Sequence, residues 1–269
     1  MQLDGCALPE AGAGLLRWVG GSRAIMIGGR IVSSATSTGP QRRFSVKVIL
    51  LGATGMVGQG VLRECLLDPE VELIRAVGRN ATQQHDPKLR EILYPDLFDL
   101  SAIEPSLCGY DACFFCLGVS AAGMNEGAYR HATYDLTISV AQTLAKLNPG
   151  MTFIYVSGAG TDGTERGRMM WARVKGKTEN ALLQMPFQAA YMFRPGYIQP
   201  LHGVRTKTKW YAAAYAIVGP LYPLWKLLFP KYVTTTECVG RAMLNVAKRG
   251  APKRVLENQD INNLCRNGS

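Results

Sequence analysis

Gly52-Ala53-Thr54-Gly55-Met56-Val57-Gly58 is the segment of this chain whose residue types and spacing most plainly serve a chemical purpose. A β-branched apolar run over 46–51 leads into it, and apolar residues at helical spacing over 56–67 lead out. A glycine-rich turn between a strand and a helix is built to receive a pyrophosphate. Gly52 allows the tight turn out of the strand. Gly55 lets the phosphates reach backbone N–H groups at the positive end of the helix, and Gly58 lets helix and strand pack closely. Thr54, Met56 and Val57, in the same turn, are expected to touch the nucleotide. About twenty residues further on, where an NAD site carries a carboxylate for the adenosine ribose, the chain reads Gly78-Arg79. A guanidinium there suits a 2′-phosphate, which it binds by a charge-assisted fork. The expected cofactor is therefore NADP, with NAD as the other nucleotide such a turn accepts.

Metal and thiol chemistry are weaker readings. Cys113 and Cys116 form a CxxC, but they lie in Ala-Cys-Phe-Phe-Cys-Leu, an apolar strand-like run, and the three histidines (85, 131 and 202) do not complete a ligand set. No metal is expected. The seven cysteines, odd in number and irregular in spacing, read as thiols of a reducing compartment.

The elements that must position these groups follow from hydrophobic pattern. Strands are predicted over 46–51, 73–77, 110–117, 151–156 and 189–193, and helices over 56–67, 129–147 and 169–183. Such alternation means βαβ units and a parallel sheet covered on both faces. The predicted fold is α/β, a Rossmann-type doubly wound parallel sheet over 45–257, with a small C-terminal helical substrate or lid region at about 197–233. Residues 258–269 read as a tail. An apolar fraction of 47% and a charged fraction of 19% suit one globular domain.

Residues 1–44 stand apart. They are rich in Gly, Ala and Ser, and no acidic residue occurs between Ala11 and Arg63, a composition resembling an organelle-targeting peptide. Asp4 and Glu10 depart from that pattern, so a disordered extension is the other reading, and the protein itself is expected to be cytoplasmic. Residues 210–229 carry one charge, Lys226, but Gly219-Pro220 and Pro223 interrupt them. Two short helices lidding a pocket fit better than a membrane span, with peripheral membrane contact through 210–231 as the alternative. Between Leu201 and Arg254 ten Lys/Arg face one acid, Glu237. Such a patch attracts anions, a phosphorylated cofactor among them. A small-molecule substrate is expected, rather than nucleic acid.

From about 46 to 246 the chain resembles an atypical or extended short-chain dehydrogenase/reductase, of the NAD(P)-binding epimerase/dehydratase-like branch related to Tat-interacting proteins. The resemblance is carried by Gly-Ala-Thr-Gly-Met-Val-Gly at 52–58, Cys-Leu-Gly at 116–118, Tyr-Val-Ser-Gly-Ala-Gly at 155–160, Val-Lys-Gly at 174–176 and Arg-Pro-Gly at 194–196. It implies cofactor contacts from Leu117, Gly118, Arg194, Pro195 and Gly196. It implies that Ser157 hydrogen-bonds a substrate carbonyl or hydroxyl. It also implies that Lys175 holds the nicotinamide ribose and lowers the pKa of a tyrosine four residues earlier. The reaction implied is hydride transfer between the nicotinamide and a small carbonyl or alcohol.

At that tyrosine position stands Trp171. An indole N–H donates a hydrogen bond but does not ionise at biological pH, so Trp171 could orient a carbonyl without acting as its acid or base. Either another group supplies the proton, with Tyr129, Tyr134, Tyr197 and His202 as candidates, or the protein is a nucleotide-binding regulator without turnover.

Overall fold

Alternate residues of the first strand, Val46–Leu51 (β1), face opposite sides of a sheet. Val48 and Leu50 enter one apolar core, and Ile49 and Leu51 enter another. This period of two on a strand buried on both faces sets the architecture. A computed structural model describes residues 45–204 and 231–267. After β1 come α1 (Met56–Leu67), β2 (Val71–Gly78), β3 (Leu89–Leu93), a 3-10 turn (Ser101–Leu107) and β4 (Ala112–Phe115). Next are α2 (Glu126–Arg130), a π-helical segment (His131–Asp135), α3 (Leu136–Leu147), β5 (Thr152–Val156), α4 (Met170–Leu183) and β6 (Ala189–Arg194). The chain closes with β7 (Tyr197–Gln199), β8 (Val233–Thr235), α5 (Thr236–Arg249), β9 (Val255–Glu257) and α6 (Asn258–Arg266).

Seven strands form one parallel sheet in the order β3-β2-β1-β4-β5-β6-β9, and β7 pairs with β8, also in parallel, in a separate two-stranded sheet. Strand order reverses between β1 and β4, which is where a doubly wound sheet opens a crevice at the carboxyl ends of its strands. The β1 side chains Val48 and Leu50 share a core with Val61 and Cys65 of α1, Val239 and Met243 of α5, and Ile261 of α6. The opposite face is covered by α3 through Val140 and Leu144 and by α4 through Leu182. The predicted Rossmann-type fold is the observed one.

Several details differ from expectation. The edge strands β3 and β9 had not been predicted: β3 carries Arg90 and Glu91 in five residues, and β9 is only three residues long. Residues 258–266 are not a tail. They form α6, opened by a reciprocal capping box between Glu257 and Asp260, and both Asn258 and Ile261 are buried. Cys238 and Cys265, brought together by the packing of α5 on α6, form a disulfide, so the reading of every cysteine as a thiol fails there. Cys65, Cys113 and Cys116 remain free. The basic stretch is less available than its count suggests. Arg241 pairs with Glu64 and Glu237, Lys248 with Asp68 and Glu70, and Lys253 with Asp260.

Residues 1–44, the greater part of the expected lid and the apolar stretch 210–229 lie outside the described residues. Among the described residues, no helix is long and apolar enough to cross a membrane, and no cluster of His, Cys, Asp or Glu could hold a metal ion.

Candidate active site

A cleft of about 580 Å³ opens at the carboxyl ends of the central strands, within the range of small-molecule sites. Its floor is the glycine turn. Gly52 has φ +84°, and a Cβ there would stand 2.8 Å from the Cys116 backbone, so both the conformation and the approach of the neighbouring strand require glycine. Thr54, Gly55, Met56 and Val57 line the cleft, as do Leu117 and Gly118 beyond β4. Gly58 does not; a Cβ there would lie 2.0 Å from the Gly52 carbonyl oxygen, so its contribution is to let α1 start directly against β1. No side chain caps α1, and its first turn holds no acid. The amides at this helix start therefore face the cleft without a built-in anion, the arrangement that receives a phosphate.

The far end of the cleft is walled by Arg79, Asn80 and Thr82 after β2, and by Glu91 on β3. Glu91 accepts a hydrogen bond from the Thr82 backbone N–H at 2.7 Å. Arg79 is exposed. Glu91 was missed from sequence because the count of twenty residues follows the chain through β2, and only strand pairing brings β3 alongside.

The other end is built by β5, α4 and β6. Lys175 on α4 lines the cleft, and its ammonium donates a hydrogen bond to the Ser157 carbonyl oxygen. Burial pushes its pKa down to about 8, while the nearby Glu179 carboxylate acts in the opposite direction. Gly176, next along α4, lies where any Cβ would stand 1.7 Å from the Asp162 carbonyl oxygen. The loop after β5 is thereby packed directly onto the helix that carries Lys175.

Three expected contacts differ. The Ser157 hydroxyl is held by Glu179 Oε1 at 2.5 Å and lies 3.1 Å from the Phe193 carbonyl oxygen, and the residue is 5% exposed. Ser157 thus lies in the cleft wall with its hydroxyl bound on the protein side, which leaves it no free proton for a substrate. Arg194 is likewise turned from the cleft: its Nε donates to Glu179 at 3.0 Å and its Nη1 to Glu257 at 3.1 Å, while Pro195 and Gly196 do line it. The bond to Glu179 raises the guanidinium pKa further. Trp171 is absent from the cleft lining, and its indole lies close against Gly160. Glu179, which sequence reading passed over, is the buried centre that ties Ser157 and Arg194 together.

The alternative proton donors are also elsewhere. Tyr129 is buried, Tyr134 is flanked by Arg130 and Lys177, the Tyr197 hydroxyl donates to Gln199, and His202 is bonded to Glu237 at 2.8 Å. None of the four lines the cleft.

No family model matches the chain. It is 24% identical over 233 residues to the mitochondrial protein FMP52 of Chaetomium globosum, covering 81% of this chain and 96% of that one. To HTATIP2 of Rattus norvegicus it is 26% identical over 221 residues, covering 81% and 88%. Among solved structures, the Bordetella bronchiseptica enzyme WbmF in complex with NAD+ superposes with a TM-score of 0.56 at 14% identity, over 84% of this chain and 79% of that one. A mutated uronate dehydrogenase gives 0.54 at 14% identity, over 78% and 73%. In sequence the chain is similar to the FMP52 and HTATIP2 proteins, and in fold it resembles WbmF and the uronate dehydrogenase.

Proposed function

We propose that the protein is an NADP(H)-dependent oxidoreductase acting on a small carbonyl or alcohol. The observation that carries this reading is the cleft itself, with an uncapped helix start and a glycine turn at its floor, Arg79 at one end and Lys175 at the other. The α1 turn would hold the pyrophosphate, Arg79 the 2′-phosphate, and Lys175 the nicotinamide ribose. When bound, the nicotinamide supplies or accepts a hydride. NAD+ in the WbmF complex supports a nicotinamide nucleotide in this type of cleft. The mitochondrial label on FMP52 and the arginine-bearing, acid-free N-terminal stretch support an organellar location, which an import assay with the full chain tests.

The test is calorimetric titration with NADPH and NADH, followed by NADPH consumption over a panel of aldehydes, ketones and quinones. Tight binding with turnover is expected; absence of nucleotide binding would overturn the proposal. A second reading, a nucleotide-binding regulator, is favoured by the engaged Ser157 hydroxyl and the non-ionising Trp171. Binding without turnover on any compound would select it.

Cofactor preference gives a separate prediction. A charged hydrogen bond is worth about 1.5–3 kcal/mol, so Arg79→Glu is expected to weaken NADPH about 10- to 100-fold while changing NADH little. Glu91→Gln removes a like charge from the phosphate's surroundings and is expected to tighten NADPH. Equal affinity of the parent protein for both nucleotides would rule out the assignment of Arg79.

A further inference from the structure

We infer that Lys175 itself is the proton donor and acceptor of the reaction, a catalytic residue in place of a tyrosine. The inference rests on the oxidoreductase reading above and deepens it.

The argument begins with what the cleft offers. Among the described residues lining it, the ionisable groups are Arg79, Glu91, Cys116 and Lys175. Arg79 and Glu91 stand at the β2–β3 end, away from the β5, α4 and β6 walls. Burial pushes the Cys116 thiol up to about 12, which leaves it a poor acid or base near neutrality. The Ser157 hydroxyl is bound to Glu179, and Trp171 is outside the lining. Lys175 is what remains at the end where a substrate would meet the nicotinamide.

Its geometry suits the task. An ammonium has three donors, and only one is used by the Ser157 carbonyl oxygen. The others are left for a ribose hydroxyl and for a substrate oxygen. The groups that act on it are the Ser157 carbonyl oxygen after β5 and Glu179 one turn along α4, whose carboxylate is bound in turn by Arg194 of β6 and by the Ser157 hydroxyl. Because Glu179 is shared with Ser157 and Arg194, it does not neutralise Lys175 by a direct ion pair, and burial prevails over attraction. A group that titrates near 8 is close to the working pH favoured for general acid–base catalysis.

In the reducing direction a hydride from the reduced nicotinamide nucleotide reaches the carbonyl carbon, and the C=O π pair becomes a lone pair on oxygen. One N–H bond of Lys175 breaks, its electron pair stays on nitrogen, and the new O–H bond forms. The neutral amine then regains its proton from water. In the oxidising direction the neutral amine takes the alcohol proton as hydride leaves.

The pH dependence follows in sign. Reduction needs the protonated amine, so its rate is level below the Lys175 pKa and falls above it. Oxidation needs the neutral amine and rises through the same pH. The first measurement uses the nucleotide-free full chain: carbon-13 lysine NMR, with Lys175 assigned by comparison with Lys175→Arg, is expected to give a midpoint near 8. The second is single-turnover reduction at saturating NADPH across pH. Lys175→Met is expected to slow it about 10²–10⁴-fold, the usual worth of general acid–base help. Lys175→Arg keeps the charge and ribose donors but does not titrate in this range, so it is expected to keep NADPH binding and lose turnover. Ethylamine added to Lys175→Ala is expected to restore part of the rate.

A reduction rate that stays level across pH, or full turnover in Lys175→Arg, would overturn the role of Lys175 while leaving the oxidoreductase reading intact. A Lys175 midpoint near 8 without turnover on any carbonyl would instead overturn that reading.

Discussion

Glu179→Ala is expected to destabilise the protein by about 3 kcal/mol, the lower end of the usual loss when one partner of a buried ion pair is removed. Glu179 is 1% exposed, and the Arg194 side chain 16%. Truncating the carboxylate leaves the guanidinium with only the exposed Glu257, and leaves the Ser157 hydroxyl without its carboxylate partner. The remaining contact to Glu257 is what places the value at the lower end. Set against a total stability of about 5–15 kcal/mol, such a loss moves the unfolding midpoint far toward low denaturant. Glu179→Met combined with Arg194→Met removes both charges, and is expected to destabilise less than Glu179→Ala alone. Urea unfolding of the parent protein and the two variants checks this. A loss below about 1 kcal/mol for Glu179→Ala would place the pair with ordinary surface ion pairs.

Gly58→Ala is expected to abolish most nucleotide binding and to destabilise the fold together. The added Cβ would lie 2.0 Å from the Gly52 carbonyl oxygen and 2.7 Å from its carbon, which are backbone atoms with no rotamer to change. Relief requires α1 to move off β1. Yet α1 is clamped from behind, where the Gly60 position meets Thr236 and the Glu64 carboxylate bonds to Arg241. Overpacking typically destabilises by about 1–3 kcal/mol, and backbone neighbours put this site at the upper end. The helix start that would hold the pyrophosphate moves as well, and every 1.4 kcal/mol lost there is about tenfold in Kd. Gly150→Ala, where a Cβ would meet nothing within 4 Å, serves as the control and is expected to be nearly neutral. Calorimetry with NADPH and urea unfolding read the two effects separately. Tight NADPH binding by Gly58→Ala would show that α1 can shift without loss.

What the sequence revealed of the fold was whatever is local. Residues 46–51 and 56–67 have patterns complete within themselves, and β1 and α1 have the predicted bounds. The missed strands lie at the sheet edges, where one partner suffices. There charged residues such as Arg90 and Glu91 need not be excluded, so the alternation that marks a strand is lost. The site divides in the same way. The glycine turn is legible because phosphate binding is done by consecutive backbone groups. The direction of the Ser157 hydroxyl is not, since it depends on a carboxylate 22 residues away and on the end of β6. Motif identity named the right wall of the cleft without revealing which atoms face inward.

The pairing of β7 with β8 bears on how such a protein changes over generations. Tyr197–Gln199 and Val233–Thr235 lie side by side, and α6 holds them from beneath: Asn258 accepts from Gly196 N–H and donates to the Lys231 and Val233 carbonyl oxygens, and Asn262 donates to the latter as well. The points where the chain departs after Gln199 and returns at Lys231 to Val233 are therefore held by contacts to α6 and to each other. Closing a loop between fixed ends becomes harder only with the logarithm of its length. The anchoring of β7 and β8 on α6 is thus separate from the number of residues joining them. Inheritance can rewrite that stretch of sequence without renegotiating how the cleft is made.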